Sequence, residues 1–151
     1  MDRFNAFTTL ISSVSRNLSQ IKTTEMKSFG LKGTHVSCLY YLHRADNCLK
    51  LKELCEIAGE DKAAISRSIE FLKRKEYIYA DCSQKQKYHA KYGLTQTGNE
   101  IANIISERID KLIEEVSDGI NNTDRENFYK TLRKISENLE KTKAKNGGKN
   151  G

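Results

Sequence analysis

The sequence predicts a mainly α protein with a small β-hairpin, and three observations carry that expectation. Apolar residues recur every three or four positions along most of the 151 residues, the spacing that places them on one face of a helix. The chain has no proline, the residue that removes a backbone donor and clashes one turn back. One stretch, residues 77–94, instead alternates polar and apolar side chains with the period of two of a half-buried strand.

A first helix is expected over about residues 2–22, where Phe4, Phe7, Leu10, Ile11, Val14, Leu18 and Ile21 form one stripe. A polar connection follows to Gly33. Thr34 suits the N-cap of a second helix, which carries Val36, Leu39, Tyr40 and Leu42, because a hydroxyl there accepts from first-turn N–H groups. Asp46-Asn47 ends it. A third, short helix covers about Leu51 to Ala58, with Leu51, Leu54, Cys55 and Ile57 as its apolar set. Gly59 stops it by adopting positive φ cheaply. Glu60 or Asp61 caps a fourth helix reaching about Lys75. Ile65, Ile69 and Leu72 turn to the core, with Phe71 beside them, and Lys62, Ser66, Arg67 and Glu70 face outward.

Tyr77-Ile78-Tyr79 opens a strand, and a turn falls within residues 82–86. The return strand puts Tyr88, Ala90, Tyr92 and Leu94 on one face and Lys87, His89, Lys91 and Gly93 on the other. Thr95 caps a long fifth helix, to about Gly119, striped by Ile101, Ile105, Ile109, Leu112 and Val116. Thr123-Asp124-Arg125-Glu126 has the capping-box pattern for a sixth helix to about Lys141. Residues 143–151, rich in Lys, Gly and Asn, are expected to be a disordered tail.

Two short helices, a tight turn and a hairpin make a winged helix-turn-helix, at about residues 34–95. The terminal helices, about 2–22 and 96–141, carry more apolar stripe than so small a unit can bury. They are expected to be dimerisation helices, so residues 1–142 form a single domain whose partner is a second copy, a homodimer. The alternative is a monomer whose terminal helices fold back on the winged unit.

The net charge of +6 is unevenly placed. Residues 62–91 hold eight Lys/Arg against three acids, whereas residues 92–151 hold ten of each. A local basic surface fits a polyanion such as double-stranded DNA. No phosphate-binding loop, nucleophile elbow or metalloprotease helix motif is present, so nothing points to an enzyme or to a cofactor. No signal peptide or membrane-length apolar run is found. The four cysteines, Cys38, Cys48, Cys55 and Cys82, contain no CxxC pair, which with the absence of a leader is the pattern of a reduced, cytoplasmic protein. Cys38 and Cys55 fall on apolar helix faces and read as core thiols, whereas Cys48 and Cys82 fall in loops. His35 and Cys38 share a helical face with His43 beyond them. Without a fourth ligand they read as ordinary core and surface residues rather than a metal site.

The order of helices, the segment Leu54-Cys55-Glu56-Ile57-Ala58-Gly59, the pattern Ile65-Ser66-Arg67-x-Ile69-x-x-Leu72 and the exit Leu94-Thr95-x-x-Gly98 together resemble the MarR/SlyA family of dimeric winged helix-turn-helix transcriptional regulators. The resemblance covers about 140 residues, and only the combination is diagnostic. It implies a sequence-specific DNA-binding homodimer, a repressor in most members, whose fourth helix enters the major groove. Lys62, Ala63, Ala64, Ser66 and Arg67 fall at the family's DNA-contact positions. Arg67 can bond a guanine edge in bidentate fashion and Ala63 or Ala64 can touch a thymine methyl, while Lys62 is placed for a phosphate.

The family's acid–arginine pair in the wing is replaced here by Gln86 and Lys87, leaving Lys85, Lys87 and His89 as the basic edge. Glu76 stands where relatives often have glycine. A small phenolic or lipophilic effector, bound between the terminal helices and the winged unit near Tyr40 or Tyr41, is also implied. Two other readings remain open at the level of sequence. One is a winged-helix protein-interaction module without specific DNA binding. The other is a regulator that senses oxidants through Cys48 or Cys82.

Overall fold

The computed structural model describes residues 2–81 and 90–147, apart from the side chains of Phe4 and Asn146. The elements run α1 (Arg3–Glu25), a single 3-10 turn (Lys27–Phe29), α2 (Gly33–Arg44), β1 (Leu49–Lys50), α3 (Leu51–Ala58), α4 (Lys62–Arg74), β2 (Ile78–Asp81), β3 (Lys91–Leu94), α5 (Gln96–Val116) and α6 (Asn122–Gly147). The expected helices are present, as are the described parts of the two hairpin strands. The expected turn at 82–86 and the start of the return strand at 87–89 lie outside the described residues. There is one addition. β1 pairs antiparallel with β3, Leu49 opposite Tyr92, so the sheet has three strands in the order β1-β3-β2. Two residues running straight into a helix show no alternation, which is why this strand has no signature in the sequence.

Contacts divide the chain into two units, residues 1–111 and 112–151. The core lies in the first. Val36, Cys38 and Leu39 of α2, Leu54 of α3, and Ile65, Ile69 and Leu72 of α4 are all essentially without solvent exposure, and Ile101, Ala102 and Ile105 of α5 join them. Burying each large aliphatic side chain contributes roughly 1.5–3 kcal/mol. Met26 and Leu31, flanking the 3-10 turn, are also buried. The second unit consists of the last turn of α5 and the whole of α6, where Leu132 and Ile135 are half-buried.

Several helix ends differ from expectation, each for a local reason. α1 continues to Glu25, whose carbonyl accepts from Arg108 Nη1 at 2.6 Å. α2 begins at Gly33 with Lys32 as N-cap, so Thr34 is inside the first turn and not the cap. The backbone N–H of Lys32 donates instead to His35 Nδ1 at 3.1 Å. Glu53 does the same for α3, accepting from the N–H of Lys50 at 2.7 Å. α6 is capped by Asn121, not Thr123: its Oδ1 accepts from the N–H of Asp124 at 2.9 Å. The helix then runs through Gly147, into residues expected to be a disordered tail. Lys and Ala at 141–145 are good helix formers, and their shortage of apolar residues is no bar to extending a helix already nucleated.

The winged unit closes at one junction. After α4, Lys75 and Glu76 end the helix with two crossed hydrogen bonds, Tyr77 N–H to Leu72 O at 3.0 Å and Glu76 N–H to Lys73 O at 2.9 Å. This is a Schellman motif, which requires a left-handed residue. Glu76 supplies it at φ +58°, so the turn is the one glycine would make, built at a conformational cost of about 1–2 kcal/mol. Thr95 then clasps the turn: its hydroxyl donates to Glu76 O at 2.6 Å and accepts from Gly98 N–H at 3.0 Å, and its own N–H donates to Tyr77 O at 3.0 Å. Any Cβ at Gly98 would overlap the Tyr77 carbonyl. The Leu94-Thr95-x-x-Gly98 pattern is therefore a joint between α4, the wing and α5.

Gly98→Ala is expected to lower the unfolding free energy by about 2–3 kcal/mol, the upper part of the range for overpacking a rigid site. Urea denaturation of both proteins measures this directly, and a loss under 0.5 kcal/mol would show that the joint yields at little cost.

Candidate nucleic-acid interface

α3 and α4 form the helix-turn-helix. Gly59, at φ +64°, ends α3. Of the two expected caps for α4, Asp61 is the one used, its Oδ1 accepting from Ala64 N–H at 2.8 Å. The carboxylate also lies against the positive end of the helix dipole. The core face of α4 comprises Ile65, Ser68, Ile69 and Leu72. At 100° per residue, the line opposite that face is Ala63, Arg67, Glu70 and Arg74, and all four are exposed.

The expected contact residues divide accordingly. Ala63 and Arg67 lie on the centre line. Lys62 and Ser66 are exposed on one flank, beside Lys73. Ala64 lies on the other flank, half-buried, with its N–H committed to Asp61. Arg74, and the central place of Glu70, escaped the residue-by-residue reading. Counting angular positions from the buried set would have found both. Glu70 engages Lys73 at 3.4 Å in an exposed pair, the kind worth a few tenths of a kcal/mol. Among the described residues no acid pairs with Arg67 or Arg74.

The wing's stem is described and its tip is not. Lys85, Lys87 and His89, like Gln86 and Cys82, lie outside the described residues. In the stem, Asp81 stands opposite Lys91 and Tyr79 opposite Gly93. Tyr79 lies close over Gly93, where an added Cβ would come within 2.7 Å of the tyrosine ring and 2.8 Å of Cys48 Sγ. Tyr79 Oη and Cys48 Sγ are 3.5 Å apart, and Cys48, expected in an open loop, is half-buried.

α4 is held to α2 partly through an aromatic contact. His35 is buried. Its ring stacks on Phe71 with centroids 4.1 Å apart and planes within 6°, and Lys75 Nζ lies 5.9 Å from the centre of the same phenyl ring. Burial, and then the neighbouring Lys32 charge, hold the imidazole pKa below its ordinary value. Since Nδ1 accepts the Lys32 N–H, protonation there would cost the cap of α2 as well.

The remaining candidates are engaged locally. Cys38 is fully buried, and burial pushes its thiol up to about 12, far from the thiolate needed for reactivity. Cys55 is half-buried. His43 Nδ1 lies 3.0 Å from Asn99 Oδ1, and no three His, Cys, Asp or Glu side chains converge on one point among the described residues. Tyr40 and Tyr41 are half-buried against the core, edge to face at 5.3 Å, with the Arg44 guanidinium 5.2 Å from the Tyr40 ring. Burial, then Tyr40, raises the Tyr41 pKa. Arg44 also bonds both carboxylate oxygens of Asp110, at 2.8 and 2.9 Å, and Ser106 Oγ at 3.1 Å, fastening α2 to α5. A groove of about 370 Å³ lies between α1, α2 and the turn before α4. Its walls include Ser19, Lys22, Thr34, Ser37 and Glu60 but neither Tyr40 nor Tyr41.

These features define a winged helix-turn-helix protein with an exposed, partly cationic helix face. No protein-family profile and no curated protein sequence matches the chain. Solved structures do. A MarR/EmrR family transcriptional regulator from Acinetobacter sp. ADP1 superposes with a TM-score of 0.82 at 21% identity, over 93% of this chain and 99% of that one. NMB1585, a MarR family regulator from Neisseria meningitidis, gives 0.81 at 18% identity over 97% and 99%. S. aureus MepR, in its complex with DNA, gives 0.79 at 17% identity over 88% and 97%. The chain has the fold of MarR-family regulators, resembling those structures over nearly its full length.

The lowered His35 pKa fixes the sign of a pH effect. The neutral form is favoured in the folded state, so this contribution to stability is complete above pH 6.5, the ordinary value, and is lost as pH falls through the lower folded value. His35→Gln keeps an acceptor for the Lys32 N–H without titrating. Denaturation between pH 7.5 and 5.5 should show wild type losing stability on the acid side and the variant losing less; parallel curves would remove His35 from the account.

Proposed function

We propose that this protein is a sequence-specific DNA-binding transcriptional regulator acting as a homodimer, and not an enzyme. The observation that carries the reading is the outward face of α4, where Arg67 stands exposed, with no acid as partner among the described residues, one turn from Ala63 on a helix fixed at both ends. The MarR-type fold supports it, since one similar structure is the S. aureus MepR–DNA complex. In this reading Arg67 reads a guanine edge and Ala63 makes the apolar contact. Lys62 and Ser66 hold the phosphate side. Lys85, Lys87 and His89 form the wing's basic edge, and Ala64 supports the approach from the inner flank.

The dimer is supported by apolar surface that one copy leaves uncovered. On α1, Leu10 is 63% and Val14 56% exposed, with Phe7 and Ile11 on the same stripe. On α6, Phe128 and Leu139 are more than half exposed. Apolar surface arranged this way marks an interface. Among the described residues no helix is long and apolar enough to cross a membrane, and the proposed DNA partner supports a cytoplasmic location. Repression, and relief of it by a small phenolic or lipophilic molecule near Tyr40 and Tyr41, complete the proposal on the strength of the resemblance.

Selection from a random DNA pool with the purified protein should enrich a palindromic motif, and sedimentation should give a dimer. Affinity should fall steeply between 50 and 200 mM salt, by roughly 10³-fold or more if six or so phosphates are contacted. Arg67→Ala should cost about 1–3 kcal/mol on the selected site and much less on random DNA. Equal losses on both would remove its base-reading role, and weak, salt-insensitive binding would favour the protein-interaction module.

A further inference from the structure

We propose that Glu70 is a specificity-determining residue that accepts a hydrogen bond from a cytosine amino group, one or two base pairs from the base read by Arg67. The inference rests on the DNA-reading role proposed above and adds to it the identity of a second base.

Glu70 lies on the centre line of the outward face, opposite the buried set of Ile65, Ser68, Ile69 and Leu72. A carboxylate at that position faces a choice. Near either phosphate row it would be repelled, and a helix that binds nucleic acid through charge alone would do better with a neutral residue. On the centre line it is directed to the floor of the groove, as far as the helix allows from both rows, while the flank bearing Lys62, Ser66 and Lys73 meets a phosphate wall. Arg67 and Arg74 stand one turn to either side of it on the same line, so its charge is compensated locally. Among the described residues its one partner is Lys73, at 3.4 Å, with the glutamate 61% and the lysine 40% exposed. A pair so exposed is exchanged at little cost, leaving the carboxylate free for a base edge.

A carboxylate only accepts. In the major groove the guanine edge and the thymine O4 are acceptors as well and are rejected. Adenine offers its N6 amino donor but sets the N7 acceptor beside it, which repels the second carboxylate oxygen. Cytosine offers its N4 amino donor with no neighbouring acceptor and is the usual partner of Glu or Asp. Three residues of helix advance about 4.5 Å, and successive base pairs are about 3.4 Å apart. The two side chains therefore reach neighbouring or next-neighbouring base pairs. The expected half-site holds a guanine contacted by Arg67 and a cytosine beside it or one step beyond.

The test is pool selection with wild type, Glu70→Ala, Glu70→Gln, Lys73→Gln and Arg67→Ala. Wild type should enrich a cytosine within two base pairs of the guanine whose preference disappears in Arg67→Ala. Glu70→Ala should keep the guanine, lose the cytosine preference by about tenfold, and bind random DNA more tightly than wild type. Glu70→Gln should move the preference from cytosine towards adenine, which glutamine pairs with. Lys73→Gln should leave the motif unchanged. An unaltered motif in both Glu70 variants, or loss of the same position in Lys73→Gln, would overturn the proposal while leaving the DNA-reading role intact. No motif for wild type would overturn both.

Discussion

The clasp between Thr95 and the turn after α4 is the constraint on which the winged unit depends. Three chain segments meet there within a few ångströms: the end of α4, the root of the wing and the start of α5. One threonine caps α5, bonds the Glu76 carbonyl and closes the strand ladder onto Tyr77. Gly98 leaves the space that the Tyr77 carbonyl fills. The direction in which α4 leaves the core and the direction in which the wing leaves α4 are set by the same few hydrogen bonds. Rotating one without the other would break the bonds to the Glu76 and Tyr77 carbonyls together.

Around that joint the packing is layered. α2 forms the floor, with Val36, Cys38 and Leu39 presented to α3 and α4. The polar fastenings lie at the rim: His35 on Phe71, His43 with Asn99, and Arg44 with Asp110. His35 is buried, whereas the His43 and Arg44 contacts are exposed and individually weak, so those two orient the helices more than they hold them. Stability resides in the aliphatic floor, and the rim fixes register. That division leaves the outward line of α4 free of structural duties, which is the condition a reading face must meet.

Much of this was legible in the sequence because it rests on periodicity. The helices, the turn at Gly59, the choice of Ile65, Ile69 and Leu72 as the inner face and the position of the wing strands all follow from spacing. What was not legible depends on side chains acting at short range in unusual roles. A histidine accepts at the start of α2 where Thr34 was the obvious cap, and Asn121 forestalls Thr123. β1 is too short to show a pattern. Glu76 takes a left-handed conformation that sequence reserves for glycine, because the crossed hydrogen bonds to Leu72 and Lys73 over-determine it. The outward placement of Arg67, Ser66 and Lys62 on α4 was legible from the same spacing. Ala64 gives no sign of its flank because it is small, and the charges of Glu70 and Arg74 in the later turns have the same pattern as a solvated helix face.

Asp61 has a consequence for the timing of recognition. Its carboxylate fills the anion-binding end of α4, the place where a helix otherwise takes a phosphate, and the Schellman turn satisfies the opposite end. α4 is thus complete before any ligand arrives. A partner gains nothing by ordering it and pays no entropy to do so. If α4 is the reading element, association would then approach that of rigid bodies, with a rate governed by diffusion and charge.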